Sequence, residues 1–181
     1  LATVYGLHEA PVGQGEGLYN LVRDGVVGDA AMVLESSHAL HDKAVVQGKG
    51  QSIWNVEIRR PGEVCHELGR TPQMDGLLDT ALAVQERLRA WGRELAASGD
   101  GGYLLGPPSL FIGQIHYGDF YNRVPTVYRI QGTRRWLPDR TFAQVQADLA
   151  EVVSSVPCAE GISIEISWRF VGEAYALDPQ E

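Results

Sequence analysis

ISIEISWRF, residues 162–170, sets Ile162, Ile164, Ile166, Trp168 and Phe170 against Ser163, Glu165, Ser167 and Arg169. Successive side chains of a strand point to opposite faces, so this segment reads as one strand of a sheet covered on one side only. Upstream, Thr141 and Gln144 stand at capping-box spacing, and Phe142, Val145, Leu149, Val152 and Val156 line one face of the helix they open. Before that helix, Ser109–His116 and Val124–Arg134 read as strands around a turn at Gly118-Asp119, preceded by a Gly/Pro-rich linker from Gly99 to Pro108. Further back, Leu77, Ala81, Val84, Leu88, Trp91 and Leu95 recur at helical spacing. They predict a helix over Asp75–Ala97, with Glu86, Arg87 and Arg93 on its polar face and Ser98-Gly99 as its stop. Two extended stretches, Lys43–Gln47 and Gln51–Arg60, flank a Gly-Lys-Gly turn, and in the second Trp54, Val56 and Ile58 face away from Asn55 and Glu57.

Residues 43–172 therefore spell strand, helix, strand, strand, helix, strand. This is the split βαβ order of a ferredoxin-like α+β fold: a four-stranded antiparallel sheet with two helices on one face. The uncovered face and the unpaired edges invite a second copy, so a homodimer is expected on geometric grounds. Residues 1–42 follow a different pattern. Ala2–Leu7 and Ala30–Leu34 are nearly all apolar and flank the GQGEG loop (13–17) and a short helix, Leu18–Arg23. Strands apolar throughout belong to a parallel sheet covered on both faces, which this unit cannot provide alone, so it reads as the β-α-β remnant of a larger α/β domain. The start of the chain inside the run ATVYGL fits a segment cut from a longer protein, with 173–181 as a linker onward.

Composition narrows the partners. The 181 residues are 44% hydrophobic and 21% charged, ordinary globular values, with a formal net charge of -8. That acidity disfavours nucleic acid, whose binding depends on Lys and Arg displacing counterions. No apolar run approaches the roughly 18 residues needed to span a bilayer, and no signal-peptide order is present, so the cytoplasm is the expected compartment. Cys65 and Cys158 have neither disulfide-framework nor zinc-thiolate spacing and read as ordinary reduced thiols. His8, His38, His41 and His116 lack paired ligand spacing, and GQGEG lacks the Lys-Ser/Thr ending of a nucleotide loop.

Four stretches carry a resemblance: HEAPVGQG (8–15), DAAMVLES (29–36), EVCH ending at His66 with Thr71-Pro72 after it, and SLFIGQIHYGDFYNRVP to TRRWLP (109–138). In the last, Gly113, Gly118, Asn122, Val124, Pro125, Arg135 and Pro138 keep the pattern's order and spacing. Together they resemble the zinc-dependent family of aminoacylases, acetylornithine deacetylases, succinyl-diaminopimelate desuccinylases and glutamate carboxypeptidases. The resemblance implies that 43–172 is a lid, or dimerisation, domain inserted between two halves of a catalytic domain. Residues 1–42 would close the first half. The whole protein would bind two zinc ions and hydrolyse an N-acyl amino acid or small peptide-like amide, and this chain alone would hold an incomplete site.

The resemblance also implies roles. Amide hydrolysis at paired zinc ions needs a metal-bound water, a carboxylate to take its proton and a donor for the developing oxyanion. Glu9 matches the general base. The second carboxylate of that pair, a zinc ligand, falls on Ala10, whose methyl cannot bind metal. Either the register moves by one, making Glu9 the ligand with His8 in the place of the base, or the protein departs from two-zinc chemistry. Glu35 ends an apolar strand and matches a zinc carboxylate, His66 matches the lid histidine that reaches the partner's active site, and Asn122 and Arg135 match residues that hold the substrate's carboxylate or amide oxygen. Arg134, the adjacent alternative, must point to the opposite face. Read alone, Glu9 is a solvated loop residue, His66 an exposed loop histidine, Asn122 a turn former and Arg135 a sheet-edge charge. Two further readings stand beside the enzyme: a non-catalytic homologue serving as an assembly or binding module, and a stand-alone amino-acid-binding regulatory domain, against which the leftover β-α-β unit argues.

Overall fold

The computed structural model describes residues 16–26, 28 and 47–177. The chain divides into two compact units, Leu1–Val45 and Val46–Glu181. In the first, α1 (Glu16–Arg23) begins two residues before the expected start. It ends where Val26 N–H bonds Leu21 carbonyl and Gly25 takes φ +81°, a left-handed conformation that favours glycine. The strands expected at Ala2–Leu7 and Ala30–Leu34 lie outside the described residues.

The second unit runs β1 (Gln47–Gly48), β2 (Gly50–Arg59), β3 (Cys65–His66), α2 (Gly76–Ala97), β4 (Ser109–Tyr117), β5 (Arg123–Val124), β6 (Val127–Trp136), α3 (Phe142–Ser154), β7 (Ser163–Gly172) and β8 (Tyr175–Ala176). β2, β4, β6 and β7 form an antiparallel four-stranded sheet in the order β4-β6-β2-β7, so the first and third long strands lie at its centre. This is the expected ferredoxin-like layer. Trp54, Val56, Ile58, Tyr128 and Ile130 are buried on one face, against Leu77, Ala81, Val84, Leu88 and Trp91 of α2 and Val145, Leu149 and Val152 of α3. The helical stripes read from the sequence therefore meet the alternating strands in a single core. Among the described residues, no helix is long and apolar enough to cross a membrane.

Three local features depart from the expected boundaries. Pro72 opens a 3-10 turn over Pro72–Asp75, so α2 begins at Gly76 rather than Asp75. Of the stretch expected over Lys43–Gln47 only Gln47 lies within the described residues, and it continues into Gly48: the two pair with Ala176 and Tyr175, apart from the main sheet. The strand expected from Val124 is interrupted at Pro125, which has no N–H to donate, and splits into β5 and β6. The capping box of α3 is formed as expected: Gln144 N–H donates to Thr141 Oγ1, and Thr141 N–H donates to Gln144 Oε1 at 2.9 Å. Thr141→Ala removes one arm of this box and lowers stability by about 1 kcal/mol, read as a shifted urea midpoint with an unchanged slope.

Glu57 explains why the open face of β2 is less polar in exposure than in sequence. It lies on the side away from the helices, yet is 9% exposed, because Arg59 and Arg129 close over it and both bond its carboxylate. The Arg129 hydrogen bond, opposed by desolvation and reinforced by Arg59, holds this carboxyl below its ordinary value of 4.5. A carboxylate with a depressed folded-state pKa stabilises fully above its unfolded value, and that stability is lost as pH falls through the folded value. Glu57→Gln is therefore expected to weaken the protein more at pH 6 than at pH 3, with the two urea midpoints converging on acidification; a constant gap would overturn this assignment.

Candidate functional site

The split at Pro125 builds the junction that positions His66. β3 pairs antiparallel with β5, Cys65 opposite Val124 and His66 opposite Arg123, and Glu67 N–H donates to Asn122 carbonyl at 2.9 Å. Two loops remote in sequence are locked together, and Gly118, at φ +76°, provides the left-handed turn after β4 that brings the second loop round. The outcome is a direct contact between two of the expected site residues: the end of the Asn122 side-chain amide lies 3.0 Å from His66 Nε2.

The tautomer follows from the other ring nitrogen. Leu68 N–H donates to His66 Nδ1 at 3.2 Å, so in the neutral imidazole the proton sits on Nε2. Nε2 then has a hydrogen to give and no lone pair to accept, so the Asn122 amide is oriented with Oδ1 toward the ring. Both N–H bonds of the Asn122 Nδ2 group are thereby turned away from the ring. His66 is exposed and Asn122 half-buried, which leaves a pair of N–H donors at the tip of the layer. Exposed apolar side chains surround them, including Leu68 at 89% and Tyr121 at 99%. Donors held in place by backbone bonds can stabilise an oxygen that gains negative charge.

Arg135 lies elsewhere. It sits on the open face of β6 opposite Gln51 and Ser109, is exposed, and makes no ion pair among the described residues. It is eight residues along β6 from Val127, about 26 Å at the rise of a strand. Within one chain it cannot meet a ligand held at His66. Arg134 points into the helix-side layer, as strand alternation requires, and is 2% exposed. Glu9 and Glu35, with Ala10, lie outside the described residues, as do His8, His38 and His41. Among the described residues no three His, Cys, Asp or Glu side chains converge as metal ligands. Cys65 and Cys158 are free thiols.

No protein-family model matches the chain, and none of the curated proteins compared with it matches. Solved structures share its architecture. The chain is similar to a protein of methicillin-resistant Staphylococcus aureus assigned to the aminohydrolases, at 18% identity and TM-score 0.56, over 75% of this chain and 34% of that one. It is also similar to a hydantoinase/carbamoylase family amidase from Burkholderia ambifaria, at 20% identity and TM-score 0.54, over 75% and 31%. A Burkholderia phymatum amidase of the same description matches at 15% identity and TM-score 0.55, over 75% and 32%. At these identities the likeness is one of fold: a helix-backed, four-stranded antiparallel layer of the kind those hydrolases carry. The chain spans about a third of the length of the solved structures it matches.

Proposed function

We propose that this chain is the lid and dimerisation portion, with the end of the first catalytic half, of a cytoplasmic zinc-dependent amidohydrolase or peptidase. Its substrate is an N-acyl amino acid or small peptide-like amide, and the chain alone is inactive. The observation that carries the reading is the His66–Asn122 contact, a preorganised donor pair at the exposed tip of a layer whose fold recurs in amide hydrolases. Two further observations support it. The strands that lead into and out of the layer, at 47–48 and 175–176, are hydrogen-bonded side by side, as an inserted domain requires. The separation of Arg135 from His66 favours a homodimer in which one subunit's tip donates His66 and Asn122 to a site whose substrate carboxylate is held by Arg135 of the other.

Zinc, when bound in the complete protein, supplies an acidified water as nucleophile. Glu9 would accept a proton from that water and Glu35 would hold metal. His66 Nε2–H, which donates to Asn122 Oδ1 at rest, would donate instead to the amide oxygen as it becomes an oxyanion, with Asn122 fixing the ring until then. The alternative, a non-catalytic homologue serving as an assembly or binding module, is favoured by one observation: Ala10 stands where the resemblance asks for a zinc carboxylate.

The test is to express the complete reading frame and assay N-acyl and N-carbamoyl amino acids before and after chelation, with metal content and mass in solution measured alongside. Turnover that disappears with the metal and returns with zinc, from a dimer, supports the enzyme. A folded complete protein without metal or turnover supports the non-catalytic reading, and turnover by the 181-residue chain alone would overturn the proposed division of labour.

A further inference from the structure

On the helix side, remote from His66, a cleft of about 560 Å³ lies between α2, the end of β6 and α3, and Arg134 and Trp136 contribute to its floor. Its volume falls in the range of small-molecule sites. Arg134 is 2% exposed, and its guanidinium carbon lies 5.2 Å from the centroid of the Trp91 ring. Arg134 Nη1 donates to the backbone carbonyls of Ser109, at 3.3 Å, and Arg135. Nε is buried without an acceptor, so the Nε–Nη2 edge, the one that makes two parallel bonds to a carboxylate, is unused.

Two neighbours share that condition. Trp136, two residues along on the same face, has a fully buried indole N–H that packs over Gly50 of β2 with no acceptor, and Ser52, opposite Arg134 in the ladder, has an unpartnered hydroxyl. The two unpartnered buried acceptors, Gln47 Oε1 and Asn55 Oδ1, belong to β1 and to the opposite face of the sheet. Charge sharpens the asymmetry. Asp148 is taken by Arg140 and Glu94 by Arg87, while Asp139 and Glu151 are exposed at the rim. Arg134 is thus a buried cation without a carboxylate partner; burial, together with Arg140 and against Asp148, pushes its pKa down to about 10. A buried donor without an acceptor is destabilising, and an unpaired buried charge is more so. A water can satisfy one or two N–H groups, but only an anion also neutralises the guanidinium.

We propose that this cleft binds a small monocarboxylate with an apolar body, its carboxylate on Arg134 and its body against Trp91, Leu95 and Val152. A dianion such as phosphate fits less well, because the rim carboxylates repel a second negative charge and no second unpaired cation is present in the wall. The site is independent of the hydrolase reading and belongs to the second unit alone.

Because every group involved lies in this chain, the 181-residue protein itself is the test material. Its indole N–H resonances are followed by nitrogen-edited NMR while sodium benzoate is added at constant ionic strength, with benzamide and inorganic phosphate as parallel probes. A saturable shift of the Trp91 indole with benzoate is expected, with benzamide and phosphate each binding at least about tenfold more weakly. Arg134→Met keeps the shape of the side chain and removes its charge, and should weaken benzoate by at least about tenfold. Leu95→Trp fills the cleft while leaving Arg134 in place, and should abolish the shift even if the first variant does not fold. Absence of a saturable shift, equal shifts from benzamide, or an undiminished response in a folded variant would each overturn the proposal.

Discussion

His66→Ala in the complete protein is expected to lower kcat by about a hundred- to a thousandfold while changing KM far less, the pattern produced by removing a donor that matters only in the transition state. The physical basis is the ring's fixed tautomer. Leu68 N–H occupies Nδ1 and Asn122 Oδ1 accepts from Nε2–H, so the tautomer and plane of the imidazole are fixed before any substrate arrives, and the oxyanion takes over a hydrogen already directed to the tip of the layer. An amide oxygen attracts that hydrogen weakly in the ground state and strongly once it becomes an oxyanion. Asn122→Ala leaves the donor in place but frees the ring to turn, so it should cost less than His66→Ala and should not add fully to it. Donation across a dimer makes a sharper demand. Coexpressed Glu9→Gln and His66→Ala subunits should recover up to about a quarter of the wild-type rate, because half of the dimers are mixed and each mixed dimer holds one intact site. No recovery in demonstrated mixed dimers would refute donation between subunits, and an unaffected kcat in the single variant would refute the role of His66 itself.

How much of this was visible in the sequence depended on how local the signal was. The helix stripes, the Thr141–Gln144 box and the alternation at 162–170 rest on contacts within a few residues, and they appear in the fold with shifts of one or two positions. The boundary at Val124 failed because Pro125 was read as part of a strand, although a proline without an N–H breaks a ladder. That break matters for function, since it frees Arg123 and Val124 to pair with Cys65 and His66. Pairings such as His66 with Asn122, 56 residues apart, carry no periodic signal, and family resemblance suggested each residue without stating that they touch. The burial of Glu57 was equally illegible, because it depends on Arg129 arriving from another strand. Arg134 left one sequence clue: it shares the period-two row of Tyr128, Ile130 and Trp136, an arginine among core residues. Its cleft, closed by α2 and α3, emerges only when the helices are in place.

The central ladder makes the strongest demand on a single position, Gly132. The residue lies on the helix-side face of β6, opposite Trp54 of β2 and Ile112 of β4, where β4 shifts register between Ile112 and Gln114. A Cβ added there would overlap the carbonyl oxygen of Phe111 and come within 2.8 Å of the Trp54 ring. The first of these neighbours is backbone on the adjacent strand, so no rotamer change can relieve it. Relief would require spreading β4 from β6 or displacing a fully buried tryptophan from the core. Gly132→Ala is therefore expected to lose about 3 kcal/mol or more, the upper part of the overpacking range, and about 6–12 °C of thermal midpoint for a unit of this size. Gly172, at the end of β7, has no atom within 4 Å of an added Cβ and serves as the control. Gly172→Ala should stay within about 0.5 kcal/mol of the wild type, as ordinary surface substitutions do. Equal losses at the two positions in urea titrations would show that Gly132 is chosen for chain flexibility rather than for the close approach of β4, and the explanation from the ladder would fail.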